Sequence, residues 1–346
     1  MKKVLKFSIL LMVMFACKRE SVDYIGPAYI SAPDDFSVTS FTASLPAVDF
    51  TSTTETFNAT FTHNVSWVLT VTGQASGAVF ETTGISNNIS AVWTGTNNSV
   101  TFFRTGETVT ATLSFYNSKY ISSINVDITQ VPNFIGSTYA IALFGDFEDT
   151  AKVYDGVRWS EFDKPNPIPN VDQGIDSMAI DYNGKIVPSC QGKKYYYIKG
   201  LGNQPTFVSG LRYFGLMAPI LPATPDNIWV NMYVYGTGDA NSAIELEYQE
   251  ADFDGTSFGY TPTDDDAFVA YISLSHKGWK LFSFKYSELT PSLNKDFGGN
   301  GNKIHEPNRL KAFDLILTKK SNPNKPVEVY FDFPIITVGG PFDPSK

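Results

Sequence analysis

From Ile228 to Tyr235 the chain reads Ile228-Trp229-Val230-Asn231-Met232-Tyr233-Val234-Tyr235, aliphatic residues alternating without a break with aromatic or polar ones. An extended strand sends successive side chains to opposite faces, so this spacing has a physical use there and none in a helix. Val230, Met232 and Val234 then face an interior, and Trp229, Asn231, Tyr233 and Tyr235 face away from it. Shorter runs such as Val65 to Val71, Val109 to Phe115 and Phe268 to Ile272 also read as strands. With 27 Phe, 18 Tyr, 26 Gly and 20 Pro, the composition favours strands and turns over helices, and the chain is expected to be all-β.

At 346 residues the chain is too long for one small domain. Residues 28–132 are rich in Thr, Ser, Val and Asn, with turn signals such as Gly95-Thr96-Asn97-Asn98. Roughly seven to nine short strands over this length suit an N-terminal immunoglobulin-like β-sandwich. It lacks a Cys-Trp-Cys framework, places Trp67 and Trp93 in its core and is assigned a spacer role. After Val131-Pro132-Asn133 the strands and loops lengthen, and residues 138–340 are expected to form a larger β-sandwich, a jelly roll whose loops can carry a site.

Residues 1–16 combine a basic start (Lys2, Lys3, Lys6) with an apolar run from Ile9 to Phe15, the pattern of a secretory signal. Met14-Phe15-Ala16-Cys17 resembles the lipobox of bacterial lipoproteins, which implies a lipid on Cys17, with 17–27 as a tether. The second cysteine, Cys190, has no basic cluster nearby and reads as an inert thiol. A net charge of −9, with three of the basic residues in the leader, leaves no surface for neutralising phosphates and excludes nucleic acid as a partner. The three histidines have no zinc spacing. Glu250-Ala251-Asp252-Phe253-Asp254-Gly255 followed by Asp264-Asp265-Asp266 imitates the start of a calcium loop, but Glu250 stands first and Thr261 twelfth. It reads either as a loose calcium loop or as a solvated acidic one.

Four segments and one tryptophan carry a family resemblance: Leu143-Phe144-Gly145-Asp146-Phe147-Glu148-Asp149 with Trp159 after it, Gly236-Thr237-Gly238, Gly278-Trp279-Lys280-Leu281, and Val329-Tyr330-Phe331-Asp332-Phe333. Together they resemble galactose-binding-like jelly rolls of carbohydrate-binding modules. With the signal and the first module, the whole chain resembles the surface glycan-binding lipoproteins of Bacteroidetes-type polysaccharide-utilisation systems. The resemblance implies non-catalytic capture of a polysaccharide, a neutral glycan such as a β-glucan. It places the protein on the cell surface, lipid-anchored in the outer membrane beside a glycan transporter complex. It also implies structural Ca²⁺ held by Asp146, Glu148 and Asp332.

A glycan offers flat C–H patches and a rim of hydroxyls, which aromatic faces and planar polar side chains can meet. Trp159 and Arg158, in a polar, Pro-rich loop, are the first candidates. Tyr195 and Tyr197 share one side of their strand; Trp229 and Tyr233 lie on the outer side of theirs, with Glu247 as an acceptor for sugar hydroxyls. Trp279 is expected in the core. Two other readings stand. Glu245-Leu246-Glu247-Tyr248-Gln249-Glu250 resembles the Glu-x-Asp-x-x-Glu strand of laminarinase-type jelly-roll hydrolases, implying catalysis by Glu245 and Glu250; strict alternation puts these two on opposite faces unless a bulge intervenes. The third is a structural adhesin with no sugar site.

Overall fold

The computed structural model describes residues 29–97, 99–132, 140–143, 147–148, 159–162, 168–214, 223–251, 266–292 and 301–343, with the backbone alone at 140–143, 159–160 and 214. Residues 1–28 with Cys17, and also Asp146, Arg158 and the acidic stretch 252–265, lie outside the described residues. Among the described residues the fold is nearly all β, built as three six-stranded sheets.

The first sheet comprises β1 (Val38–Ala43), β2 (Ala47–Asp49), β3 (Glu55–Gly73), β4 (Val79–Trp93), β5 (Thr108–Phe115) and β6 (Ile121–Gln130). Its order is β1-β3-β5-β6-β2, with β4 also along β3 and β2 parallel to β6. The strands are fewer than the sequence suggests because the polar Thr62-His63-Asn64 does not end one. β3 runs through it for 19 residues, and the register shifts between Thr60 and Val65. Trp93 is fully buried, with Phe50, Phe57 and Phe103 around it and its Nε1–H donated to the Thr96 carbonyl at 2.8 Å. Trp67 is only half-buried, where two apolar clusters meet.

The remaining strands are β7 (Ala140–Leu143), β8 (Trp159–Glu161), β9 (Val171–Asp176), β10 (Tyr195–Gly200), β11 (Phe207–Phe214), β12 (Ile228–Thr237), β13 (Ser242–Glu250), β14 (Ala267–Ser273), β15 (Lys277–Lys285), β16 (Thr290–Pro291), β17 (Leu310–Lys319) and β18 (Val327–Val338). The second sheet has the order β15-β12-β18-β10-β9, with β7 on β18, and the third β16-β14-β13-β17-β11-β8. The two face each other across one core. Val230, Met232, Val234, Val329 and Phe331 come from the second sheet, and Ile244, Leu246, Tyr248, Phe313 and Leu315 from the third. The alternation of β12 therefore sets its buried face, and β13 follows the same rule.

β18 changes sides partway. Val327, Val329 and Phe331 point into the core, whereas past Phe333, which holds a φ of +54°, it is Ile336 that does so. The register against β12 slips between Asn231 and Tyr233 at this point, the signature of a bulge. A positive φ at a bulky residue costs about 1–3 kcal/mol. It brings Phe333 and Ile335 to the outer face beside Tyr233, forming a socket that Phe102 of the first module fills. The Phe102 ring lies 5.3 Å from Tyr233 and 5.4 Å from Phe333. Main chain and side chain reinforce the join: Phe102 N–H donates to the Cys190 carbonyl at 3.0 Å, and Arg104 Nη2 to Ser189 Oγ at 2.6 Å.

Candidate functional site

The outer face of the second sheet, where the sequence placed an aromatic platform, is largely covered. Tyr233 is 1 % exposed, because Phe102 and Phe342 pack in its cluster; burial also pushes its hydroxyl pKa up. Tyr195 is fully buried with Ala179, Val187 and Tyr330. Its hydroxyl accepts Ala179 N–H and donates to the Val187 carbonyl, both at 2.8 Å. Both expectations of an open ring are corrected: β10 and β12 lie beneath other chain segments on this side. Tyr197 stays half-buried, donating to Asp172 Oδ1 at 2.9 Å, and Trp229 is half-buried too. Tyr197 shares a row with Tyr330 and Tyr235, whereas Trp229 lies about 20 Å away along β12, so the two share no platform. Trp279 is half-buried and donates to the Pro188 carbonyl at 2.6 Å. The Trp159 backbone pairs with Tyr213, which places it on an edge strand, not in a free loop.

The outer face of the third sheet gathers the polar groups instead. Glu245, Glu247 and Gln249 alternate with the core residues of β13 and so point outward with Tyr271 of β14, Asp314 of β17 and Arg212 of β11. Tyr271 is 60 % exposed, sits directly opposite Glu245 and hydrogen-bonds its carboxylate. Beside them runs a continuous network. Ser292 Oγ donates to Glu247 Oε2 at 3.2 Å; Gln249 Nε2 donates to Glu247 Oε1 at 2.8 Å and to Asp314 Oδ2 at 2.9 Å. Arg212 closes on Asp314 with two bonds, and its guanidinium lies 5.0 Å over the Phe162 ring. Gly210 leaves room for that ring, since a Cβ there would stand 2.6 Å from it.

The face is graded in depth. Tyr271 is open, Glu245, Arg212 and Ile316 are half-buried, and Glu247, Gln249 and Asp314 are covered. Burial pushes the Glu247 pKa up to about 7, with Asp314 and Glu245 adding to the rise, and burial raises Glu245 and Asp314 as well. The deep groups thus brace one another, while Tyr271 and Glu245 offer a ring and a carboxylate on one side of them and Arg212 a guanidinium on the other. Tyr271 was missed from the sequence. Its signal was present: a tyrosine at an outward position of one strand, level with a glutamate at an outward position of its neighbour.

Glu250 lies on the other side of β13. Its Oε1 accepts the buried Tyr286 hydroxyl and the Glu306 amide, each at 2.8 Å, and burial raises its pKa to about 8. A register shift does occur between Gln249 and Glu250, but Glu250 keeps the inward parity of Tyr248, so Glu245 and Glu250 are not brought together.

The carboxylates proposed for calcium meet a turn. Glu148 Oε1 accepts the amides of Lys193 (2.5 Å) and Lys194 (2.8 Å), and Asp332 Oδ2 accepts that of Gln191 at 3.1 Å. These two oxygens hold backbone N–H groups, and Asp146, the third carboxylate expected at the site, lies outside the described residues. Among the described residues no group of three or more His, Cys, Asp or Glu side chains could hold a metal ion.

No family model matches the chain, and no curated protein matches it. Solved structures similar to it include a family 11 carbohydrate-binding module from Clostridium thermocellum in complex with a β-1,3-1,4-mixed-linked tetrasaccharide. That similarity has 14 % identity and a TM-score of 0.37, and covers 60 % of this chain and 100 % of that one. Another is the C-terminal family 22 carbohydrate-binding module of Clostridium thermocellum Xyn10B, with 9 % identity, a TM-score of 0.33, and 60 % and 100 % covered. A third is a xylan-binding domain from Paenibacillus barcinonensis Xyn10C, with 12 % identity, a TM-score of 0.31, and 60 % and 100 % covered. At these TM-scores the likeness fixes neither ligand nor mechanism.

Proposed function

We propose that this chain binds a neutral polysaccharide without cleaving it, along the outer face of β11, β17, β13 and β14. The observation that carries the reading is Tyr271, 60 % exposed and hydrogen-bonded to Glu245, with the Arg212–Asp314 pair on the same face. An exposed ring takes the C–H face of a sugar, and a carboxylate and a guanidinium take its hydroxyls in pairs. The net charge of −9 favours a neutral polymer over a polyanion. In this reading Cys17 carries the lipid that anchors the protein at the outer-membrane surface. Several copies engaging one polymer raise a modest affinity and hold the chain for a neighbouring transporter.

The test is retardation in native gels cast with β-glucan, xylan, mannan or galactan. One polymer slows the wild type, and Tyr271→Ala and Glu245→Gln each weaken that retardation; retardation unchanged in both variants refutes the reading. One observation favours hydrolysis as a second reading: Glu247, near neutrality at about 7, shares a face with Glu245. Two residues apart on a strand is about 6.5–7 Å, inside the roughly 6.5–9.5 Å range of inverting glycosidases. Reducing ends released from the same polymers, and lost in Glu247→Gln, would establish it.

A further inference from the structure

A cleft of about 440 Å³ opens beside β3, β4 and β5 of the first sheet, within the roughly 300–1,000 Å³ typical of small-ligand sites. Val68 lines it with its cross-strand neighbours Thr83 and Ser114, so two hydroxyls flank one aliphatic side chain. Glu81 adds a carboxylate, which accepts Thr70 Oγ1 at 3.4 Å. Tyr29 and Tyr116 stack at 4.8 Å with planes 22° apart, yet stay 67 % and 49 % exposed. Trp67 completes the lining. Its Nε1–H is fixed on Ser86 Oγ at 2.9 Å, and its ring lies so close over Gly84 that a Cβ there would come within 2.4 Å.

The tyrosine pair is held by one residue. Ser66 Oγ accepts Ile30 N–H at 2.8 Å, Ser66 N–H donates to the Ile30 carbonyl at 2.9 Å, and the Ser66 carbonyl accepts Tyr116 N–H at 3.0 Å. Tyr116 is thus fixed by its own N–H bond and Tyr29 through its neighbour Ile30 before any ligand arrives, which lowers the entropy cost of binding. Stacked rings left in water beside hydroxyls and a carboxylate match a molecule with an apolar face and a polar rim. We infer that this cleft binds a sugar ring of a neutral glycan, so that the first module is a second binding module and not a spacer. The inference stands on this module alone and does not depend on the face around Tyr271.

Calorimetric titration of the full chain with tetrasaccharides of β-1,3-1,4-glucan, xylan, mannan and galactan tests it. One of them fills two sites. Tyr116→Ala and Glu81→Gln each weaken one of the two about tenfold or more, with the melting temperature unchanged. Tyr271→Ala leaves a site that Tyr116→Ala then removes. If Tyr116→Ala does not fold, Tyr29→Ala and Glu81→Gln give the same readout. A single site lost in Tyr271→Ala and indifferent to the cleft variants overturns the inference while the proposed function stands. A single site lost only in the cleft variants supports it and refutes the Tyr271 face. No heat with any tetrasaccharide overturns it.

Discussion

Arg212 grips Asp314 with both arms of its guanidinium, Nε to Oδ1 at 2.6 Å and Nη2 to Oδ2 at 2.5 Å, while the Asp314 side chain is only 1 % exposed. Burial pushes the Asp314 carboxyl up and Arg212 pulls it back down. Removing the cation strands a buried charge, so Arg212→Ala is expected to cost about 3–5 kcal/mol in urea unfolding. Arg212→Lys keeps the charge but loses the fork, and recovers only part of the loss. A cost for Arg212→Ala below about 1 kcal/mol would show that the pair behaves as a solvated surface bridge.

Stability is expected to fall as pH rises toward neutrality. Burial lifts Glu247 from the ordinary 4.5 up to about 7 and Glu250 up to about 8. Each holds its proton more tightly folded than unfolded. The stabilisation is therefore complete below about pH 4.5 and is lost as pH climbs through about 7 to 8, on the order of 3–5 kcal/mol apiece. Melting temperatures between about pH 5 and pH 8.5 should decline. Glu247→Gln and Glu250→Gln, which cannot ionise, should each flatten the decline; a profile rising across this range contradicts the assignment.

Tyrosine substitutions should divide by face. Tyr271→Ala is expected to weaken polymer binding with little change in stability, because the ring is mostly in solvent. Tyr195→Ala and Tyr233→Ala, both fully packed, should cost about 3–5 kcal/mol. Chemical denaturation beside gel retardation separates the two classes. A stable Tyr233→Ala that loses binding would return the site to the second sheet.

Cys190 reports on the join between the modules. It is fully buried in the cluster that Phe102 fills, and burial raises its thiol pKa well above the usual range. In a Cys17→Ser background, a disulfide reagent such as DTNB should fail to label the folded protein. Phe102→Ala should make Cys190 reactive without global unfolding. Equal reactivity in both proteins would mean that Phe102 does not guard the socket.

Calcium has a direct readout. Because Glu148 and Asp332 turn oxygens toward the amides of Gln191, Lys193 and Lys194, chelator should leave the melting temperature unchanged. A fall of several degrees, restored by Ca²⁺, would enlist these carboxylates and Asp146 as ligands.

The strand faces were legible because alternation is a local property: Val230, Met232 and Val234 point inward, and Glu245 and Glu250 part company, as a period of two requires. What covers an outer face is not local. Tyr233 is occluded by Phe102, 131 positions earlier in the chain, and Tyr195 by Ala179 and Val187. Exposed and twice-buried strands look alike in one dimension. Tyr271 was legible only as a pair, since its meaning comes from the register that sets it opposite Glu245.

If both proposed sites take glycan, Phe102 in its socket would also make the protein a gauge of length. With Phe102 of the first module packed against Tyr233 and Phe333 and bonded to the Cys190 carbonyl, the separation between the Tyr271 face and the cleft at Tyr116 would then be held between narrow limits. A polymer gains from both grips only if its own helical repeat presents two sugars at that spacing. Among glycans of one composition, linkage geometry would then decide which is retained, and loosening the socket would blur that choice without touching either grip.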